Sequence, residues 1–225
     1  MTRPAGKRCR KGRRPGRPPQ AEGVQGREQL LRAARELMIE KGFPRVTVRE
    51  VAQRAGVGPA LVNYYFGGKS DLFAAIIEQV VLEARERIEK ATQRSGPVKE
   101  RIRRFVQEIV AAMTADPYLA RLLVEQVLFA DDEVIDRFAR ELAGPTLATL
   151  RSLLDEGIAE GELRELDPKF IVPSILGICI YFFLAQPLIR KLFGLKQLTP
   201  ELAHAFGESA AELILHGVVV REPAP

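Results

Sequence analysis

The stretch Ala55–Lys69, AGVGPALVNYYFGGK, decides how this chain is read. Gly56 suits a turn that needs positive φ, and Gly58-Pro59 sets a proline where a helix start loses no amide partner. A short helix then runs to about Tyr65 and breaks at Gly67-Gly68. Upstream, TVREVAQRAG carries Thr47 and, three residues on, Glu50. That spacing is a capping box: the hydroxyl takes an orphan amide while the carboxylate reaches back. The helix it opens turns Val51 and Ala52 inward and stops at Gly56. Two short helices joined by a few residues around a glycine make a helix-turn-helix. Ala52 is small enough for close approach, and Val57 and Val62 face the core. Pro59, Ala60, Asn63 and Tyr64 then face away. Small residues let a helix sink into a major groove, where Asn63 and Tyr64 can bond base edges or phosphates. The helix start at Gly58 offers free amides to a phosphate. Lys69, just past the helix, is within reach of the nucleic-acid backbone.

Charge placement agrees with this. Residues 1–20 hold eight basic residues and no acid, and residues 27–69 are net +4. The whole chain is +5, so the remainder is net −7. A basic first third on an acidic body points to a polyanion partner for one part only. Two cysteines, Cys9 in a polar tail and Cys179 in an apolar run, are poor disulfide candidates and fit a reducing compartment. Two histidines, His204 and His216, are too few for a metal site, and no cofactor is expected. The N-terminus lacks the apolar region of a secretory signal. The one membrane candidate, Phe170–Leu184, is 15 residues long and interrupted by Pro, Ser and Gly. A span needs about 20 residues, so this is read as a helix buried in a core or a subunit interface.

Along the chain, residues 1–26 are rich in Arg, Pro and Gly and are expected to be a disordered basic tail. Helical periodicity begins with Leu30, Ala33, Ala34, Leu37 and Met38 and ends at Gly42. After the helix-turn-helix of residues 27–70, Ser70-Asp71 is expected to cap a long fourth helix with Leu72, Phe73, Ile76, Ile77 and Val80 on one face. Ser95-Gly96-Pro97, Asp116-Pro117 and Asp131-Asp132 open further helices, the last broken at Gly144-Pro145. Asp167-Pro168 opens the apolar helix, which Pro187 kinks or ends. Thr199-Pro200 opens the last, with Leu202, Phe206, Ala210, Leu213 and Ile214 inward. No stretch alternates as a strand. The fold class is all-α, about nine helices, with residues 71–220 forming a second helical part.

The segment TVREVAQRAGVGPALVNYYFGGKSDLF resembles the DNA-binding domain of the TetR family of bacterial transcriptional regulators. Thr47, Ala52, Gly56-Val57, Tyr65-Phe66, Lys69 and Leu72 stand where that family's pattern places them. The resemblance implies an all-helical homodimer, three helices binding double-stranded DNA and the C-terminal helices forming a ligand pocket and dimer face. It implies DNA contacts by Thr47, Gly58, Pro59, Ala60, Asn63, Tyr64 and Lys69, with a phosphate contact from Tyr65. Asn63 stands where Tyr is commoner in the family, and Gly58 where Ser is frequent. Repression is the family default, in the bacterial cytoplasm on the nucleoid. In the tail, Gly16-Arg17-Pro18 resembles a minor-groove hook; the alternative is a solvated arm adding salt-sensitive affinity.

In the second part, residues too polar or aromatic for a plain core are the pocket candidates: Phe105, Met113, Tyr118, Arg121, Glu125, Tyr181, Phe182 and Gln186. The eighth and ninth helices, residues 168–194 and 200–218, are expected to pair with their copies in an isologous four-helix face. The effector is expected to be small and apolar. No metal-ligand spacing, phosphate loop, GxSxG or paired Cys and His suggests an enzyme. The remaining rival is a DNA-compacting protein that works through the basic tail without sequence preference.

Overall fold

The computed structural model describes residues 20–218. The Arg-rich segment through residue 19, with Cys9 and Gly16-Arg17-Pro18, lies outside them. Eleven α-helices are present among the described residues, and no strand.

The first is α1, Gln20–Lys41. It begins inside the segment expected to be a disordered tail, so residues 20–26 are helical. Gly26 there lies against Tyr65: a Cβ on Gly26 would sit 3.2 Å from the Tyr65 hydroxyl oxygen. A 3₁₀ turn at Phe43–Arg45 leads to α2, Val48–Arg54, and then α3, Pro59–Phe66. The capping box at Thr47 and Glu50 is present in both directions. Gly56 has φ 70°. Its amide donates to the Gln53 carbonyl and the Val57 amide to the Ala52 carbonyl, at 3.1 and 2.9 Å. These two bonds close a Schellman ending, which needs the left-handed residue that glycine supplies. Leu30, Ala34, Met38, Val51, Ala52 and Val62 are buried where the three helices meet.

Helix α4, Lys69–Thr92, opens at Lys69. Ser70 and Asp71 fall inside its first turn, because Gly68 already provides the cap position. It carries the core from the first part into the second. Helix α5, Val98–Ala115, buries Val98, Ile102, Phe105, Val106, Val110 and Met113. It packs against α4, against α8 (Gly144–Ala159), against α9 (Pro168–Leu184) and against α11 (Pro200–Val218). The short α6, Leu119–Leu123, runs into a π-helical turn at Val124–Leu128. Helix α7, Asp132–Arg137, continues through a second π-helical segment, Phe138–Ala143, directly into α8. The expected break at Gly144-Pro145 does not occur. The widened turn absorbs the amide that Pro145 lacks, and Gly144 permits it: a Cβ there would lie 2.7 Å from the Ala139 carbonyl oxygen.

Helix α9 is joined to α10, Gln186–Leu192, with a 69° bend at Ala185, beside Pro187. No single described helix is long and apolar enough to cross a membrane. Ile175, Cys179 and Phe183 turn α9 inward, while Phe170, Tyr181 and Leu184 are exposed. Burial pushes the Cys179 thiol up to about 12, which leaves it an inert core group. On α11 the expected inward face holds except at Leu213, which is 65% exposed.

Replacing a mid-helix glycine by alanine ordinarily stabilises by about 0.5–1 kcal/mol. Gly144→Ala reverses that sign, because the added methyl meets backbone. The expected loss is about 1–3 kcal/mol, read as a lower melting temperature by differential scanning calorimetry.

Candidate nucleic-acid interface and internal cavity

One side of α3 is committed to the core. Val62 and Phe66 are buried, and the Arg27 guanidinium lies over the Phe66 ring at 5.2 Å. The opposite side is open: Gly58, Pro59, Ala60 and Asn63 are exposed, and Tyr64 is 57% exposed. Tyr65 is half-buried, edge-on to Tyr64 at 5.0 Å, with its hydroxyl turned toward Gly26. The two tyrosines therefore divide, one toward α1 and one toward solvent. Lys69 is the first residue of α4 rather than part of a loop past α3; it is exposed and its ammonium stands 5.3 Å from the Phe73 ring centre.

Thr47 is exposed, but its hydroxyl is occupied. It donates to Glu50 Oε2 at 2.6 Å and accepts the Glu50 amide at 3.3 Å. As it stands it has no proton left for a phosphate, so its first role is to cap α2. Two cations were passed over in the sequence: Arg45 and Arg49. Both are exposed and neither pairs with an acid among the described residues. The clue was available, since a capping-box helix that turns Val51 and Ala52 inward must turn its second residue outward. By contrast Lys41 is tied to Glu50, and Arg54 to Glu40 and Glu36.

The second part holds an apolar cavity of about 260 Å³, open on one side, between α4, α5, α6, α8 and α9. Its walls are apolar, mostly aliphatic with Phe138 and Met113, and Thr146 is the sole polar side chain among them. Small residues make the space: Ala84, Ala112, Ala120 and Ala143 line it together with Ile88, Met113, Leu147 and Ile180. Both π-helical segments contribute to the wall, through Val127 and Phe138 among others.

Of the eight residues expected at a pocket, the structure brings only Met113 to this cavity. Phe105 is wholly buried core. Phe182 stacks on Phe206 at 3.9 Å. Tyr181 points outward, 62% exposed. Arg121 pairs with Glu125 on the surface, at 2.6 Å, and covers the Phe43 ring. Tyr118, Arg121 and Gln186 instead line a separate recess of about 230 Å³ that also touches Met38 and Phe43. Polarity is a poor guide here because the cavity is built from alanines and aliphatics, which look like ordinary core in sequence.

Between the two parts, Arg35 of α1 reaches two carboxylates. Its Nη1 donates to both oxygens of Glu83, at 3.0 and 3.2 Å. Its Nη2 and Nε donate to Asp116, at 2.9 and 3.3 Å. The Tyr118 hydroxyl also donates to Asp116, at 2.6 Å. Burial would lower the Arg35 pKa, but the Glu83 and Asp116 bonds more than offset this and raise it. Burial, and then the hydrogen bond to Asp116, raise that of Tyr118.

Comparison with known proteins gives one answer over both parts. Residues 30–76 match the family profile described as "Bacterial regulatory proteins, tetR family". Residues 96–223 match "Tetracyclin repressor-like, C-terminal domain". The fatty acid metabolism regulator protein of Bacillus subtilis is 26% identical over 150 residues, covering 66% of this chain and 77% of that protein. A transcriptional regulator of the TetR/AcrR family from Thermobifida fusca has a solved structure that is 26% identical. It superposes with a TM-score of 0.66 over 85% of this chain and 97% of that one. The regulator FadR from Bacillus subtilis, solved in complex with stearoyl-CoA, shares the fold at 24% identity and TM-score 0.66, over 84% and 98%.

The Glu50 carboxyl yields a prediction about acid. Lys41 first, and then Thr47, hold it down at about 2 from the usual 4.5. A depressed carboxyl contributes stability that is present above its unfolded value and is lost as pH falls through its folded one. Glu50→Gln should therefore melt at a lower temperature than the parent at pH 7. Melts taken at steps down to pH 2.5 should show the two curves converging, most of the convergence falling below pH 4.5.

Proposed function

We infer that this chain, which belongs to the tetR family of bacterial regulatory proteins, is a ligand-responsive transcriptional repressor that binds a two-fold DNA site as a homodimer. The observation that carries the reading is the open face of α3. Pro59, Ala60, Asn63 and Tyr64 are exposed, as are the cations Arg45, Arg49 and Lys69 of the same three-helix part. Small side chains let the helix enter the major groove. Asn63 pairs with a base edge, Tyr64 with a base or phosphate, and the unpaired arginines with phosphates. Gly58 offers main-chain amides, and Tyr65 a phosphate contact if its hydroxyl leaves Gly26. The work is done in the cytoplasm, on the nucleoid.

The exposed apolar residues of the last helices support dimerisation. Phe170, Tyr181 and Leu184 on α9, with Leu213 on α11, are exposed together with Leu188 and Leu192 on α10. An apolar surface of that kind on a folded chain calls for a partner, and a second copy placing α9 and α11 against themselves is isologous. Two α3 helices then lie about 34–36 Å apart, one DNA turn.

The effector belongs in the aliphatic cavity. An engineered apolar cavity of about 150 Å³ takes benzene, so this one suits an apolar group of roughly ten heavy atoms. No charged side chain lines it, so a charged head group stays outside. Binding changes DNA affinity only insofar as the two states hold the ligand differently.

Selection of duplexes from a random pool by the full chain, followed by footprinting, tests the DNA reading. The expected result is protection of a short inverted repeat; uniform protection would instead favour a compacting protein, and no protection would refute both. Tyr64→Ala should weaken the selected site about 5- to 150-fold, the equivalent of 1–3 kcal/mol, with no change in melting temperature. For the cavity, 1-decanol at saturating concentration should raise the melting temperature, by about 2.7 kcal/mol of stability at 100 times its Kd. Phthalate, charged and of similar size, should not.

A further inference from the structure

The two carboxylates that hold Arg35 sit on or next to two of the segments that wall the cavity. Glu83 on α4 is adjacent in sequence to Ala84 and two residues from Val81, both cavity-lining. Asp116, at the corner between α5 and α6, lies three residues after Met113 and three before Leu119, also lining. Its side chain is 4% exposed. One guanidinium from the DNA-binding part thus spans α4 and the α5–α6 corner at once.

Building on the proposed function, we propose that Arg35 is the positioning residue through which the state of the cavity reaches the DNA-binding helices. The physical argument is geometric. A guanidinium is a rigid planar fork, so it satisfies both carboxylates at only one separation between them. Filling the cavity pushes α4 away from the α5–α6 corner and changes that separation. Arg35 then keeps one carboxylate and loses the other. Leaving a buried charge unpaired is strongly unfavourable, so Arg35 stays with Asp116, which Tyr118 already anchors, and releases Glu83 on the more exposed side. Helix α1 follows the α5–α6 corner while α4 moves relative to it. Since α3 packs on α4 and meets α1 where Arg27 covers Phe66 and Gly26 lies against Tyr65, its angle to the body changes. There is room for the exchange: a cleft of about 640 Å³ between α1 and α4 is lined by Arg35, Glu36, Glu78, Gln79 and Asp116. Gln79, whose side-chain nitrogen already donates to Glu83 at 2.9 Å, covers the carboxylate that is released.

The test uses a side chain as a built-in ligand. Ala143→Leu fills the cavity from a wall remote in sequence from Glu83 and Asp116, and Ala112→Leu fills it independently should the first variant fold poorly. Arg35→Lys keeps the charge but replaces the fork with a single ammonium that cannot serve both carboxylates. Affinity for the selected duplex is measured by fluorescence anisotropy for the parent, the filled variant, Arg35→Lys and the combination. The expected result is a tenfold or larger shift on filling when Arg35 is present, and less than twofold when it is lysine. An equal shift in both backgrounds overturns the proposal, as does no shift in either. Arg35→Lys that lowers only the melting temperature, leaving the ratio intact, overturns it too. Hydrogen exchange reads the same coupling without DNA: filling should change protection of the α1 amides with Arg35 and not with lysine. If the parent selects no duplex, the function reading fails, and exchange alone then decides the clamp.

Discussion

The second part of the molecule is organised around α5. A helix whose buried positions are Val98, Ile102, Phe105, Val106, Val110 and Met113 needs cover on most of its circumference. At about 1.5–3 kcal/mol for each large side chain removed from water, that cover is the main organising force. Helices α4, α8, α9 and α11 provide it. Arg101 and Arg103, on the polar edge of α5, then fix direction by pairing with Glu156 of α8 and Glu212 of α11. These ion pairs are partly exposed and individually weak. They select among packings that burial alone would leave nearly equivalent.

The helix-turn-helix was legible almost to the residue because its constraints are local. Thr47 with Glu50, Gly56 and Pro59 each act within a turn or less, and hydrogen bonds at 2.6–3.3 Å stand at the first two of those places. The outward face of α3 was legible for the same reason, since fixing Val62 and Phe66 inward fixes Asn63 and Tyr64 outward. Helix α1 was misjudged at its start. Composition argued for a disordered segment, yet the helix extends seven residues earlier, with Gly26 packed on Tyr65. A contact with a residue 39 positions away leaves no mark on local composition.

The continuous rod from α7 to α8 was hidden by a related effect. Gly-Pro is a strong breaker within an α-helix, but a π-helical turn has a different hydrogen-bond ladder, and in it the proline costs little. Nothing in the six residues Phe138–Ala143 announces that ladder. The cavity was hidden more deeply. Polar and aromatic side chains were the natural candidates for a pocket, yet Tyr118 serves Asp116, Phe182 serves Phe206, and Arg121 serves Glu125. The space arises from what alanines leave out, and an omission is visible only when the surrounding helices are in place.

That omission has an energetic meaning which joins the cavity to the rest of the fold. Apolar walls that face an unfilled space lack dispersion partners on that side, and the space of about 260 Å³ leaves such gaps along its lining. The walls next to such a void are held less firmly than the α5 core, and both π-helical segments lie in those walls. An apolar occupant restores the missing dispersion contacts. The same free energy is therefore available both to bind the occupant and to shift the segments around it. Rigidity is placed on the other side of the molecule, where the Schellman turn at Gly56 and the capping box at Thr47 hold α2 and α3 as one unit. A soft body attached to a stiff reading head moves that head without deforming it, and this arrangement requires only that few polar bonds cross between the two. Those of Arg35 are the best defined of that set.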